Sequence, residues 1–161
     1  GVLNIFKDDI MIYLKKIPSN TYDVITAIDI IEHFEKQSLF YLIQEINRVL
    51  KPNGQLITHQ PNGDSPFVNS ILYGDYTHEQ AFTKQSMSQL ILSNGFQEIK
   101  SYEVKPLIHG LKSFIRYILW VFLFKNILLI FNLVETGAFS FKSILTRNFI
   151  TISEKKKIKI S

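Results

Sequence analysis

The chain has 161 residues, of which 46% are hydrophobic, so it is long and apolar enough for one domain with a real core, and overall disorder is not expected. It contains no cysteine, which excludes disulfides, thiolate metal sites and a cysteine nucleophile and fits a reducing compartment. The net charge of +4 is concentrated late, in Lys155-Lys156-Lys157 and Lys159. Because these lysines form a tail and not a stripe with interleaved aromatics, we expect a solvated or membrane-facing segment and no nucleic-acid partner.

The N-terminal part predicts two short elements. Val2–Phe6 has the pattern of a short strand, and Lys7-Asp8-Asp9 follows it. The apolar segment from Ile10 to Ile17 favours a short helix, which Pro18-Ser19-Asn20 would end.

The stretch from Tyr22 to Asn62 predicts a βαβ unit. Val24–Ile28 is an apolar run of strand length, and Gln55–His59 is a second short β run. Between them the apolar residues recur at helical spacing, at Leu39, Leu42, Ile43, Ile46, Val49 and Leu50. The helix would carry Arg48 and Lys51 in its last turn and stop at Pro52-Asn53-Gly54. Its two strands are expected to be parallel, with any ligand at their carboxyl ends.

Three further elements follow a long polar loop that runs from Pro61 to about Thr83. Thr83 would cap a helix that ends at about Ser93, with Met87, Leu90 and Ile91 facing inward. Phe96–Val104 predicts a strand, and the residues around Phe149–Glu154 predict another. We divide the chain into residues 1–106, an apolar helical insertion at 107–146, and a last strand with a basic tail at 147–161.

The insertion contains an apolar segment, Tyr117–Val134, that is about long enough to span a bilayer. Lys125 and Asn126 lie in its middle, and a central lysine costs about 2.5–3.5 kcal/mol on insertion scales. A single crossing would also separate the last two strands of one sheet. We therefore expect a helical hairpin broken near Lys125-Asn126 that lies on a membrane surface, covers a lipid-like acceptor or packs on a partner. A pair of ordinary core helices is the alternative.

Three segments together resemble the second half of a class I S-adenosylmethionine-dependent methyltransferase. They are YDVITAIDIIEHF, EINRVLKPNGQLITHQPN and YGDYTHEQAFTKQSMSQLILSNGF. The resemblance covers about residues 1–106 and returns at 147–156. It implies an α/β fold, a Rossmann-like class I methyltransferase sheet of order 3-2-1-4-5-7-6 that here lacks strands 1 and 2, with an apolar helical insertion before the last strand.

The resemblance assigns the predicted strands to that sheet. The third to seventh strands of the family would be Val2–Phe6, Asp23–Ile28, Gln55–His59, Phe96–Val104 and the antiparallel Phe149–Glu154. No GxGxG motif occurs in the sequence, so the glycine-rich turn that contacts the methionine part of the cofactor has no counterpart. We therefore expect this chain to be the C-terminal portion of a longer enzyme.

The resemblance also implies where the cofactor, S-adenosylmethionine, would bind. Asp9 would accept a hydrogen bond from the adenine amino group, and Ile10 would offer its backbone N–H to the ring. Asp9 as a helix cap is the alternative. The backbone of Ala27, Ile28 and Asp29 would lie beside the methyl-donor end, unless Asp29 simply caps the next turn.

Two histidines are the candidates for general base. His33 follows Glu32 at the border between cofactor and acceptor, so it is assigned to both cofactor contact and catalysis, and His78 lies in the loop that covers the acceptor side. A hydrogen-bonded structural histidine is the alternative for each. Asp75 and His78 have metal-ligand spacing, but the pattern offers no third ligand, so no metal site is expected.

These patterns lead to one functional expectation and one alternative. The expected reaction moves a methyl group from S-adenosylmethionine to a small-molecule, lipid-linked or sugar-linked acceptor, in the cytoplasm or peripherally at the inner face of a membrane. The alternative is a non-catalytic remnant, or a partner or membrane-associated binding subunit.

Overall fold

A computed structural model describes residues 5–137 and 143–157. Within them the strands β1 (Tyr22–Ile28), β2 (Leu50–Pro61), β3 (Phe96–Glu103) and β4 (Asn148–Lys155) form one sheet of order β1-β2-β4-β3. β1 and β2 are parallel, and β4 runs antiparallel to both of its neighbours. This is the predicted 4-5-7-6 half of a class I methyltransferase sheet.

The strand directions place three strand ends at one edge of the sheet. β2 and β3 both run antiparallel to β4, so they are parallel to each other, and β1 is parallel to β2. The carboxyl ends Ile28, Pro61 and Glu103 therefore share one edge, which we call the carboxyl edge. Whatever follows β1, β2 and β3 in the chain starts there.

The helices of the domain are α1 (Ile10–Lys16), α2 (Lys36–Val49), α3 (Val68–Leu72) and α4 (Lys84–Ser93), with a short 3-10 turn at Ile31–His33. α1 and α4 confirm the predictions for their segments. The Thr83 hydroxyl accepts the Ser86 N–H in a capping box, and Asn94 and Gly95 follow the last turn of α4. Met87 and Ile91 are fully buried beneath that helix.

The core lies between the sheet and one face of α2. Its centre is formed by apolar side chains that are almost wholly buried, namely Leu39, Leu42, Ile43, Ile46, Val49, Leu56 and Phe149. The α2 residues among them are those that the helical spacing predicts. Burial of a leucine or isoleucine side chain contributes about 1.5–3 kcal/mol, so this stripe accounts for much of the packing free energy of the domain.

The predicted end of α2 is wrong by two residues, about half a turn. The helix stops at Val49, and Leu50 is already extended, with φ −70° and ψ 141°. Pro52 disfavours a helical conformation for the residue before it, which ends the helix early. Lys51 is therefore not in the last turn, and its ammonium instead lies 2.8 Å from the Asp23 carboxylate on β1.

The predicted strand Val2–Phe6 lies partly outside the described residues. Its last two residues, Ile5 and Phe6, are not in a strand, and they are 88% and 69% exposed. Among the described elements, β2 is the only neighbour of β1, so Val24 and Ile28 remain half exposed. A strand conformation at Ile5 and Phe6 would leave their backbone groups without ladder partners.

The insertion forms one continuous helix and not the predicted hairpin. α5 (Leu111–Leu119), a π-helical turn (Trp120–Phe124) and α6 (Lys125–Thr136) run together as 26 residues, which we call the apolar helix. Lys125 keeps helical angles of −60° and −40°. The alternative, a pair of core helices, is also wrong, because only 6% of the most apolar window of the helix is buried.

Two polar contacts explain why the helix does not break. The Lys125 ammonium lies 2.7 Å from a Glu103 carboxylate oxygen, so its charge is paired against the sheet. The Asn126 side-chain amide donates to the carbonyls of Val121 and Phe122, inside the π-helical turn, where the regular backbone ladder is interrupted. By length and composition alone the apolar helix is able to cross a membrane.

Candidate active site

The site lies at the carboxyl edge, where the ends of β1 and β2 are joined side by side. Asp29 leaves β1 with a left-handed φ of +50°, and its N–H donates to the His59 carbonyl at 3.1 Å. Its carboxylate lies 2.6 Å from His59 Nδ1. Ala27 is buried and Ile28 is half exposed. Asp29 thus bridges the two strand ends and does not cap the following turn.

The 3-10 turn after β1 sends neighbouring side chains in different directions. Ile31 and Glu32 are fully buried, whereas His33 is only partly covered. The Glu32 carbonyl accepts the backbone N–H groups of Glu79 and Gln80, at 2.9 and 3.3 Å. This fixes the loop after β2 to the end of β1.

The hydrogen bonds of His33 define its tautomer. His33 Nδ1 lies 2.9 Å from the Thr77 hydroxyl and 3.2 Å from the Thr77 carbonyl. The Thr77 hydroxyl donates its own proton to Asp75 at 2.7 Å, so it accepts from the ring. The Thr77 carbonyl oxygen is also able only to accept a hydrogen bond from the ring. The proton is therefore on Nδ1, and Nε2 carries the free lone pair.

His78 has the same arrangement. Its Nδ1 lies 3.0 Å from the Ile71 carbonyl, which only accepts, so Nε2 again carries the lone pair. The two imidazole rings are 4.7 Å apart at an angle of 56°. The structure thus brings together the two histidines that the sequence predicts as candidate bases.

The acidic neighbours of this pair have shifted pKa values. Burial raises the pKa of the Glu32 carboxyl, which is 1% exposed, although a hydrogen bond with its own backbone lowers it in part. Its Oε2 has no hydrogen-bond partner among the described residues. The Thr77 hydroxyl, and then the Thr77 backbone N–H, lowers the pKa of Asp75. Hydrophobic patterning gave no reason to expect that Glu32 points inward.

Asp9 is the N-cap of α1 and Ile10 is its first residue. Ile10 lines a cavity of about 210 Å³ together with Phe6, Asp8 and Tyr13. One Asp9 carboxylate oxygen accepts the N–H groups of Met11 and Ile12, at 2.8 and 3.0 Å. This is the helix cap that was the alternative to an adenine contact. The side chain of Ile10 is partly exposed.

A sheet of this order, with one antiparallel strand and polar groups at its carboxyl edge, is the half-sheet of a class I methyltransferase. A family model described as a methyltransferase domain matches residues 6–101, well over half of the chain. The chain belongs to that methyltransferase domain family, and S-adenosylmethionine is the methyl donor of the class.

Solved structures support the fold. A SAM-dependent methyltransferase from Archaeoglobus fulgidus has a TM-score of 0.67 at 18% identity, and the match covers 94% of this chain and 67% of that one. A SAM-dependent methyltransferase from Thermotoga maritima has a TM-score of 0.57 at 14% identity, and the match covers 87% of this chain and 59% of that one. The YcgJ protein from Bacillus subtilis has a TM-score of 0.53 at 13% identity, and the match covers 87% of this chain and 66% of that one. No curated protein sequence matches the chain. The chain thus spans 59–67% of the lengths of these three structures.

The described residues fit one side of the cofactor. The left-handed turn at Asp29 presents backbone at the end of β1, and the cavity beside Ile10 offers an apolar surface for a ring. The sequence has no glycine between residues 2 and 53, so the chain itself supplies no glycine-rich turn before β1. The residues present would hold the adenine and the methyl-donor end.

Proposed function

We propose that the protein transfers a methyl group from S-adenosylmethionine to a lipid-linked acceptor at the carboxyl edge. The observation that carries this proposal is the apolar helix. It is inserted between β3 and β4, so it leaves the sheet at the edge that also bears Asp29, His33 and His78. Only 6% of its most apolar window is buried, which is typical of a surface that contacts lipid or a partner.

A cavity at the base of the apolar helix supports an amphiphilic acceptor. It encloses about 360 Å³, and its lining combines apolar and cationic side chains, namely Phe67, Val104, Lys105, Pro106, Arg116, Trp120, Phe124, Thr146 and Arg147. Aromatic walls suit an isoprenoid or acyl chain, and the cations suit a phosphate or sugar-phosphate group. Phe67 belongs to the loop that also holds His78 through the Ile71 carbonyl.

In the proposed reaction the cofactor supplies a methyl group on a sulfonium. The backbone of Ala27, Ile28 and Asp29 would flank the donor end, while Asp9 and Ile10 would lie along the adenine. His33 or His78 would take the proton from an acceptor hydroxyl at Nε2, while a new C–O bond replaces the C–S bond. Alignment of donor and acceptor supplies most of the acceleration in such a displacement.

We further propose that the apolar helix rests on a membrane surface on the cytoplasmic side. Helices that lie in the interface bury an apolar face and keep cations near the headgroups, and Lys112 and Arg116 lie in the first turns of this helix. The charge pair at Lys125 would remain on the protein side, against β3.

A second candidate is a non-catalytic, membrane-associated binding subunit. One observation favours it: a carboxylate oxygen of Asp9 is already engaged by the cap of α1. Calorimetric titration of the purified chain with S-adenosylmethionine bears on both candidates. Tight binding would count against the non-catalytic candidate, and an absence of binding would count against the donor site proposed here.

The reaction is tested with the native protein that contains this chain, radiolabelled S-adenosylmethionine and a cell lipid extract. We expect label in the organic phase, and we expect His33→Asn and His78→Asn to lower it at least tenfold. His109→Asn is the matched control, because His109 lies outside the site. Label that stays in the aqueous phase would overturn the lipid-linked acceptor.

A further inference from the structure

Glu32, His33 and His78 form a cluster that methyl transfer by itself does not require. One carboxylate oxygen of Glu32 and one ring nitrogen of each histidine all lie within 4.8 Å of one another. Ligands that share one Zn²⁺ at about 2.0–2.2 Å lie within about 4 Å of each other, so small side-chain rotations would complete a site. The three residues come from a turn and a distant loop, which is why sequence spacing did not reveal the set.

The chemistry of each ligand atom suits a divalent cation. Both histidines carry their proton on Nδ1, held by the acceptors at Thr77 and Ile71, so both Nε2 lone pairs are available. In protein metal sites the second ring nitrogen of a histidine ligand almost always donates to such a carbonyl, carboxylate or water. The Thr77 hydroxyl in turn donates to Asp75, and this completes an outer layer around His33.

Glu32 is an independent observation that points to a ligand. Its side chain is 1% exposed, and its Oε2 has no hydrogen-bond partner among the residues that the structure describes. A buried carboxylate oxygen without a partner is costly unless a cation or a proton satisfies it. Asp29 and Asp75 add negative charge close by, which favours a cation over a second anion.

We propose that Glu32, His33 and His78 bind a single divalent transition-metal ion of the Zn²⁺ type on the acceptor side of the site. Two imidazoles and one carboxylate are the ligand set of open zinc sites, which keep at least one coordination position for water or substrate. A hard cation such as Mg²⁺ prefers oxygen ligands and fits this set poorly.

This inference deepens the proposed function, and it rests on that function only for the role of the ion. An acceptor hydroxyl at the open position would be acidified by the cation, and its proton would pass to water. With the ion bound, the two histidines would act as its ligands, and acidification of the hydroxyl by the ion would replace the base role that their Nε2 atoms have in the metal-free mechanism above.

The test is Zn²⁺ binding by the chelator-treated protein, with neither cofactor nor acceptor present. Calorimetry and elemental analysis should show one equivalent bound. Glu32→Gln, His33→Asn and His78→Asn should each weaken binding by about 10–100-fold or more, and Thr77→Val should weaken it by about tenfold through the orientation of His33. His109→Asn should bind like the wild type. Mg²⁺ should not compete at equal concentration.

Two outcomes would overturn the metal site. One is a wild-type protein that binds no Zn²⁺, and the other is binding that His109→Asn weakens as much as His33→Asn does. If a variant fails to fold by circular dichroism, NMR of the wild type decides instead. Co²⁺ must then shift or broaden the ring signals of His33 and His78 and leave those of His109 unchanged.

The result is separable from the proposed function. Bound Zn²⁺ without methyl transfer would overturn the reaction alone, whereas methyl transfer that persists in excess chelator, with no Zn²⁺ bound, would overturn the metal site alone.

Discussion

The ammonium of Lys125 lies 2.7 Å from the Oε1 of Glu103, and it joins the middle of the apolar helix to the end of β3. The two side chains are only 17% and 11% exposed. Hydrogen bonds between charged groups contribute about 1.5–3 kcal/mol when they are shielded from water. This contact is therefore expected to hold the helix against the sheet.

Lys125→Met is expected to lower the free energy of unfolding by about 1.5–3 kcal/mol, because Glu103 loses its close partner in a shielded position. Chemical denaturation of the wild type and the variant measures the change. Lys112→Met, on an exposed residue of the same helix, should change it by less than about 0.5 kcal/mol. Equal stabilities of Lys125→Met and the wild type would show that the pair does not anchor the helix.

The pairing of Arg48 with Glu45 predicts a pH dependence at the acid end. The Arg48 guanidinium lies 2.8 Å from Glu45 and lowers the pKa of that carboxyl below its usual 4.5. A carboxyl whose folded pKa is depressed stabilises the fold above its unfolded pKa, and this stability is lost as the pH falls through the folded pKa. The free energy of unfolding should therefore decrease below about pH 4.5 more steeply in the wild type than in Glu45→Gln.

Arg48 also joins two helices. Its guanidinium donates to the carbonyls of Leu14 and Ile17, each at 2.8 Å, at the end of α1. Arg48→Met should therefore raise the rate of amide hydrogen exchange in α1. It should also make the free energy of unfolding fall less steeply at acid pH. Exchange in α1 that is unchanged in this variant would contradict the anchoring role.

Lys155 predicts a pH dependence of the same sign at the alkaline end. Burial, and secondarily the charge of Arg48, lowers the pKa of the Lys155 ammonium, which donates to the Leu50 carbonyl at 2.7 Å. The unfolded chain therefore binds more protons than the native one between the lowered pKa and 10.5, so stability rises with pH in that window.

In Lys155→Met the free energy of unfolding should increase less with pH in this alkaline window than it does in the wild type. Unfolding free energies measured between pH 8 and pH 10 make the comparison, and the exposed neighbour Lys156→Met serves as the matched control. A slope in Lys155→Met that equals that of the wild type would count against the assignment.

Thr77→Val is expected to remove the hydrogen bonds that the Thr77 hydroxyl makes with Asp75 and with His33. The pKa of Asp75 should rise towards its ordinary value, because the hydroxyl that holds it down is removed. Thr77→Ser keeps the hydroxyl and should retain the low pKa. Carbon NMR titration of the Asp75 carboxyl measures this directly, and an equal pKa in all three proteins would refute the hydrogen-bond chain.

Local patterns in the sequence predicted the elements whose causes are local. Thr83 with Ser86 caps α4 three residues apart, and the stripe of α2 repeats within two turns. The antiparallel last strand and its place in the sheet came from the resemblance to a family, because no local pattern determines strand order. The division at residues 106 and 146 remains a prediction.

The failures have long-range causes. A break of the helix was predicted at Lys125 because its partner, Glu103, lies 22 residues away in another element. The sequence placed His33 and His78 on the acceptor side of one site, but it did not predict that Glu32 joins them as a possible ligand set, since a 3-10 turn and a loop 45 residues later bring the three together. Burial of Glu32 also contradicts the usual preference of glutamate for the surface, and residues that break such rules are often functional.

The position of β4 has a consequence for biosynthesis. β4 pairs with β2 on one side and β3 on the other, yet it follows the apolar helix in the chain. A ribosome therefore releases the whole apolar helix before the sheet is able to close. During that interval the completed sheet does not yet cover any part of its apolar surface, so any engagement of the helix with lipid or a chaperone could begin before the fold is complete.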